Sequence, residues 1–561
     1  MNALAKRKFG VAELLLLFSI LVLVVVVAVP IVLIFATAFF DDGKFNIAGV
    51  LKILGDPDTY QALLNSAVIA CGTTLLSTMI GTFFAWLVSR TDLPFKRTMK
   101  ALFLVPFMLP SFIGALAWKI LLSPRSGYVN KLLMAAFGLE RAPIDILTMG
   151  GIIAIESMYL FPFVFLQVCG ALERMDPTLE ESARISGAGL LTITRRITLP
   201  LVMPSILAGA LLVALYSLSH FGVPAILGTE KGIYNIPTKI YERIYASGGS
   251  FGAIRVGTIL STILVFAAAA ILKLQDLILK RGQFQIIAGK SMRPMTLKLR
   301  GLKWPLLAVS VVYIAITVIL PTVTIVLVGG LKTYGLSIAA KNMTWDNYLE
   351  IFKWKMTLDA IWNSIWLSVS SAFVTMLAGV MISYVIVKIK PRGKFVLEFL
   401  GVLPFSLPGT VIALGMILAW SGRFGINLYN TAGIIFVAYI ARYMAFSIKS
   451  NSAALAQVSD SLEEAARACG ASHFQALRDI VLPLVRPGMI SAFFLIFLPA
   501  LRELTTSVLL YGPTTRTIGV AIYALNEDGE TVRAAALATI ALVIIFVGET
   551  VIKRATQRKE D

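Results

Sequence analysis

Apolar runs of about 20 residues recur along this chain, each long enough to cross a bilayer core as a helix. Hydrocarbon offers the backbone no hydrogen-bond partners, so segments of this kind must satisfy their own amides as helices. The runs predict an all-α, polytopic membrane protein of twelve transmembrane helices. They lie at about 11–40, 60–88, 100–122, 149–172, 201–227, 253–279, 305–329, 359–387, 395–419, 431–450, 488–511 and 533–552. The first run carries a single charge, Glu13, and follows Lys6-Arg7-Lys8. It is too long for a signal peptide and no small-residue cleavage site follows promptly, so it reads as a retained span. With 58% hydrophobic and 14% charged residues, the chain has too little charge to cover a soluble surface of this size.

A net charge of +19 invites a nucleic-acid reading. The distribution argues against it. Most of the 50 Lys and Arg fall on the side that holds the N terminus, the central polar stretch and the C-terminal tail. That bias makes those segments, and both termini, cytoplasmic. No basic groove interleaved with aromatics appears, so nucleic acid is not an expected partner. Cys71, Cys169 and Cys469 are scattered without CxxC spacing and read as small apolar residues. The two histidines, His220 and His473, are too few for a histidine metal cluster, and no catalytic constellation or metal site is expected. Ala288-Gly289-Lys290-Ser291 imitates a phosphate-binding loop, but Phe284 stands where its first glycine belongs.

The chain repeats itself. At an offset of 298, Asn65-Ser66 matches Asn363-Ser364, Trp86 matches Tyr384, Pro106 matches Pro404 and Pro110 matches Pro408. At 283, Gly187 matches Gly470, Pro200 matches Pro483 and Pro204 matches Pro487. Each half holds an even number of spans, so the two six-helix repeats are parallel, related by an axis along the membrane normal. The expected division is a first half at 1–279, a basic cytoplasmic linker at 280–304 and a second half at 305–561.

Each repeat is most polar between its fourth and fifth spans. One loop reads Asp176-Pro-Thr-Leu-Glu-Glu-Ser-Ala-Arg-Ile-Ser-Gly187, then nine residues, then Ile197-Thr-Leu-Pro200. The other reads Ser459-Asp-Ser-Leu-Glu-Glu-Ala-Ala-Arg-Ala-Cys-Gly470, then nine residues, then Ile480-Val-Leu-Pro483. Asp176 and Ser459 suit a helix N-cap, and Gly187 and Gly470 suit a left-handed stop. Ser472 suits a second cap, and the following helix is expected to end or kink at Leu199-Pro200 and Leu482-Pro483. Each loop is therefore a helix-turn-helix bracket, charged on one face (Glu181, Arg184; Glu464, Arg467) and apolar on the other (Leu179, Ala183; Leu462, Ala466). Leu191 and Phe474 follow each glycine by four residues and offer apolar groups to a partner groove.

These loops resemble the Glu-Ala-Ala, three residues, Gly, nine residues, Ile-x-Leu-Pro signature of binding-protein-dependent importer permeases. Glu181-Ser182-Ala183 departs from it once; Glu464-Ala465-Ala466 does not depart. The resemblance implies that the brackets are coupling helices, each docking into one of two copies of a cytoplasmic ATP-binding-cassette ATPase. It also implies an extracytoplasmic substrate-binding protein, membrane lipid around the spans, and no cofactor in this chain, since ATP and magnesium would be held by the ATPase. The fused two-half build, with Phe221-Gly-Val-Pro-Ala-Ile-Leu-Gly228 and Leu501-Arg-Glu-Leu-Thr-Thr-Ser-Val-Leu-Leu510, is similar to ferric-iron importer permeases in particular. Relatives of the same build carry thiamine, aminoethylphosphonate or polyamines. A secondary transporter driven by an ion gradient is the alternative class. Its facilitator form expects a Gly-x-x-x-Asp-Arg-x-Gly loop, which Ser89-Arg-Thr-Asp-Leu-Pro-Phe-Lys-Arg97 does not match.

Ionisable residues inside spans are costly and mark candidate function. Lys119, Glu156, His220, Arg442, Arg502 and Glu503 are such residues. The 283 offset sets His220 against Glu503, making His220, Arg502 and Glu503 candidate pathway residues. Adjacent helical residues point about 100° apart, so Arg502 and Glu503 are expected to find separate partners, and Glu156 to pair with Arg442 or Arg502.

Overall fold

A computed structural model describes residues 11–41, 43–246, 248, 250–281 and 296–557. The N-terminal basic cluster and positions 282–295 of the expected linker lie outside the described residues. Among the described residues, ten helices are long and apolar enough to cross a membrane, and the count reaches 12 if two bent helix pairs are each one span. Numbered in chain order, spans 1 and 2 are Ala12–Phe39 and Pro57–Arg90, and spans 4 to 6 are Met149–Arg174, Thr194–Leu218 and Gly252–Lys280. Spans 7 and 8 are Arg300–Gly329 and Lys355–Ile389, and spans 10 to 12 are Ala432–Ala456, Phe474–Leu501 and Thr531–Thr550.

Spans 3 and 9 are not the straight helices that hydropathy alone suggests. Lys96–Met108 meets Ser111–Leu122 at 89°, and Lys394–Ser406 meets Gly409–Trp420 at 115°. Proline disfavours the helical conformation in the residue before it. Leu109 and Leu407, which precede Pro110 and Pro408, are accordingly extended, with ψ of 138° and 137°. Spans 5 and 11 are likewise shorter at their outer ends than expected. They stop at Leu218 and Leu501, and short helices resume at Gly222–Leu227 and Ser507–Leu510.

Five π turns, Val24–Ala28, Thr194–Thr198, Ala315–Ile319, Val385–Ile389 and Leu477–Val481, each end two residues before a proline. Proline lacks an amide hydrogen and its ring crowds the carbonyl four residues back. Widening the preceding turn to five-residue hydrogen bonds, such as Leu199 N–H to Thr194 O, accommodates that ring; in four of the five the helix runs on, and before Pro391 it ends, with Lys390 left-handed at φ +50°. The second bracket helices therefore do not end at Pro200 and Pro483. They run on as the bracket ends of spans 5 and 11.

The two halves exchange their first helices. Leu23 and Val27 of span 1 pack on Ile382, Val385, Met444 and Ile448 of the second half. Higher up, Pro30 and Ile34 lie against Gly415. Span 7 does the converse, with Tyr313 and Ile314 among Phe84, Phe103 and Phe161.

Within each half the repeat marks the packing. Asn65 donates to Tyr234 O (2.8 Å) and Ser66 Oγ accepts from Ile236 N–H (2.7 Å), pinning the outer loop after span 5. Asn363 and Ser364 hold Thr514 O (3.0 Å) and Ile518 N–H (2.7 Å) in the same way. Gly81 admits Val164 and the Phe161 carbonyl, where a Cβ would lie 2.8 Å from each, and its 298-offset mate Gly379 admits Ser447. Acids at the same end are paired, Asp41 with Arg255, Asp56 and Asp58 with Arg243, and Glu350 with Arg533.

Gly81→Leu is expected to push span 4 off span 2 and cost about 1–3 kcal/mol by overpacking. Gly252→Ala, where a Cβ meets nothing within 4 Å, is the neutral control. Thermal unfolding of the detergent-solubilised variants measures the difference.

Candidate functional site

Both brackets close with the same hydrogen bonds. In the first, the helix Thr178–Ile185 begins at Asp176, whose carboxylate accepts from Thr178 N–H (2.9 Å) and is thereby held below the usual carboxylate range. It ends at Gly187, φ +84°, with Ala188 N–H donating to Ala183 O and Gly187 N–H to Arg184 O. In the second, the helix Asp460–Ala468 is capped by Ser459 and ends at Gly470, φ +92°, with Ala471 N–H on Ala466 O and Gly470 N–H on Arg467 O. This is the Schellman arrangement, in which a left-handed residue lets two consecutive amides recover the last helical carbonyls. Ser472 and Gln475 then cap each other's amides at the next helix, as a capping box does.

The side chains sit differently from a bracket with one apolar face turned inward. Glu181, Arg184, Glu464, Ala465, Arg467, Pro200 and Pro483 are exposed, and Ala183 and Ala466 are half-buried. Apolar groups also face outward: Leu179, Leu462, Ile185 at 88% exposure and Phe474 at 56%. The side chain of Leu191 lies outside the described residues.

What turns inward is a carboxylate that motif reasoning missed. Glu180 is buried against Arg90, the last residue of span 2, at 3.4 Å, and accepts from Thr198 Oγ1 (2.6 Å). Arg90 also donates to Leu172 O at the end of span 4 (2.9 Å). One guanidinium thus joins bracket, span 2 and span 4. In the second half, Tyr384 donates to Glu463 (2.8 Å), and Lys388 reaches Val458 O (2.5 Å) and Asp460 (2.6 Å). The Lys388 hydrogen bond holds the Asp460 carboxyl below its ordinary range. The repeat pointed to these residues: Arg90 is the 298-offset mate of Lys388, and Glu180 the 283-offset mate of Glu463.

The far end of the expected linker is docked beside this anchor. Leu297 N–H donates to Arg90 O (2.8 Å), Asp92 N–H to Leu297 O (3.1 Å), and Leu299 N–H to the Asp92 carboxylate (2.8 Å). That last bond, with Lys303 at 2.7 Å, keeps the Asp92 carboxyl below the usual range.

The second feature is a cavity of about 250 Å³ between the halves. The breaks in spans 3 and 9 and the ends of spans 5 and 11 line it, so His220, Arg502 and Glu503 share one space while standing apart from the brackets. Glu156 pairs with His220, not with either arginine: His220 Nδ1 lies 3.1 Å from Glu156, which also accepts from Ser217 (2.5 Å) and Thr73 (3.2 Å). His220 Nε2 is 2.8 Å from the Ser111 hydroxyl. Glu503 lies 3.2 Å from Arg442 and accepts from Tyr443 OH (2.7 Å) and Thr506 N–H (2.9 Å). Arg502 crosses to the other half and donates to Phe107 O (2.8 Å) and Met108 O (2.9 Å), the carbonyls left bare at the break in span 3.

Arg90→Met leaves Glu180 buried without its partner and is expected to cost about 3–5 kcal/mol. The double variant Arg90→Met/Glu180→Met is expected to recover most of that loss. Thermal unfolding of the four proteins of this cycle, with proteolysis of the 178–187 bracket, provides the measurement.

Comparison with known proteins agrees with this architecture. The chain is 27% identical over 563 aligned positions to the ferric transport system permease protein FbpB of Actinobacillus pleuropneumoniae, covering 97% of this chain and 80% of that one. Half-length similarity is higher. The molybdenum transport system permease protein ModB of Escherichia coli (strain K12) is 32% identical over 207 positions, 36% of this chain and 87% of that one. The spermidine/putrescine transport system permease protein PotB of the same strain is 33% identical over 212, covering 36% and 76%. Residues 77–281 and 375–561 match one family model twice, and both matches leave out the exchanged spans 1 and 7. The chain belongs to the family of binding-protein-dependent transport system inner membrane components.

Proposed function

We propose that this chain is the whole membrane pathway of an ATP-driven importer, taking ferric iron inward by alternating access between its halves. The observation that carries the coupling is the paired bracket: two loops with one closure, each tied by a buried or half-buried polar anchor to spans 2 and 4 or to their repeats. Two copies of a cytoplasmic ATPase would seat Leu179, Ile185 and Phe474 in their grooves and move the anchored spans on nucleotide closure. ATP and magnesium belong to those partners, and this chain itself performs no chemistry. A soluble binding protein would deliver substrate at the outer face, with both termini of the permease cytoplasmic.

Iron is favoured because the relatives named for ferric transport align with nearly the full fused chain, whereas those named for molybdenum and polyamine each cover 36% of it. Thiamine and aminoethylphosphonate would use the same machinery. The ion-gradient reading finds no support in the loop after span 2.

Gly187→Val and Gly470→Val place a β-branched residue at φ +84° and +92°, a strain of about 1–3 kcal/mol per site. Each is expected to abolish ATPase co-purification and radiolabelled iron uptake while the chain still reaches the membrane. A retained complex with normal uptake would sink the coupling assignment. For the pathway, Glu503→Gln and His220→Ala are expected to depress uptake at least tenfold with binding-protein docking preserved. Unchanged uptake would remove these residues from the route.

A further inference from the structure

The cavity between the halves has a polarity that its two acid–base pairs conceal when they are counted as pairs. In the first half the acid, Glu156, comes from span 4 and the base, His220, from the end of span 5. In the second half the order is exchanged, with Arg442 on span 10 and Glu503 just past span 11. Despite that exchange, both pairs point the same way. The base is the more exposed partner of each pair. The His220 side chain is 15% exposed against 0% for Glu156, and Arg442 is 21% exposed against 8% for Glu503.

Both carboxylates are also spoken for. Glu156 accepts from Ser217 and Thr73 besides facing His220, and Glu503 accepts from Tyr443 and Thr506 besides facing Arg442. Arg502 adds a second guanidinium to the lining, held at the span 3 break by one nitrogen, Nη1, on the two carbonyls. The lining therefore offers two guanidinium groups, while its carboxylates are already engaged by neighbouring donors. In a low-dielectric surrounding, such donors repel a bare cation and hold an oxyanion by charge-assisted hydrogen bonds. Among the described residues, no three His, Cys, Asp or Glu side chains converge as a metal cage.

From this geometry we infer that the cavity takes a substrate presenting anionic oxygens, so that iron passes it as a complex with a carboxylate or phosphate ligand and not as a bare cation. The inference rests on the ferric-import reading and names the form in which the metal crosses. It also separates this cavity from one built for a polyamine, which would require exposed carboxylates and aromatic faces without competing cations.

Equilibrium dialysis of the full chain in lipid nanodiscs against radiolabelled ferric citrate provides the test, with citrate, molybdate and spermidine as competitors. The expected result is retained iron that citrate and molybdate displace and spermidine does not. Arg502→Gln is expected to weaken retention about tenfold, the loss of one charge-assisted contact, and Arg502→Lys to recover most of it. Displacement by spermidine, undiminished retention in Arg502→Gln, or no retention by the wild-type chain overturns the inference. The spermidine arm uses the unaltered protein, so it decides even where a variant fails to fold. The ferric-import reading fails on a different observation, the absence of ATP-dependent iron uptake by the complex assembled with its ATPase and binding protein.

Discussion

A backbone carbonyl stranded in hydrocarbon costs several kcal/mol, and this structure is organised around the places where prolines strand them. Pro110 and Pro408 break spans 3 and 9 within the membrane, which opens room between the halves and frees carbonyls at the same point. Arg502 supplies donors to two of them from across the pseudo-twofold interface. The cavity, its polar lining and a direct bond between the halves thus arise from one local requirement. Where proline must be carried without a break, a π turn just upstream lets the helix continue, as at Pro200 and Pro483, and a bracket becomes the foot of a transmembrane helix. One continuous helix therefore joins each bracket to the cavity end of its span.

The two anchors show how a repeat diverges without losing its mechanics. The first half uses a buried Arg90–Glu180 ion pair. The second distributes the same connection over Tyr384–Glu463 and the more exposed Lys388–Asp460. A buried pair resists separation because either charge alone is poorly solvated, whereas an exposed pair exchanges readily with water. The anchors therefore differ in burial though the closing turns are the same. The linker end, bonded to Arg90 O and Asp92, adds a further restraint on the first side.

Much of this was legible in the sequence because hydropathy and turn chemistry are local. The spans, the left-handed glycines and the capping serines follow from residue type and spacing. The offset of 283 also sets His220 and Glu503 at matched positions, and both line the cavity. What the sequence did not disclose depends on contacts between distant segments. Glu180 looks like any acid in the first turn of a surface helix, and only its burial against Arg90 separates it from Glu181 beside it. Glu156 could have met either arginine on charge alone. Its neighbour is His220 because spans 4 and 5 pack together within one half. The prolines in spans 3 and 9 were visible, but whether they would bend a helix or sever it depended on the facing groups available to receive the freed carbonyls.

The exchange of first helices has a consequence for how the molecule is made. Span 1 leaves the ribosome some 360 residues before the segments of spans 8 to 10 on which it packs. At about 5–20 residues per second, that is a wait of roughly 20 to 70 s with its eventual contact face turned to lipid. A helix with polar groups on that face would be a poor candidate for such an interval. Span 1 is the most hydrophobic of the ten single spans, its middle a run of valines, alanine and leucine. Its composition suits a segment that must live alone in the bilayer before it becomes the strap that fastens one half to the other.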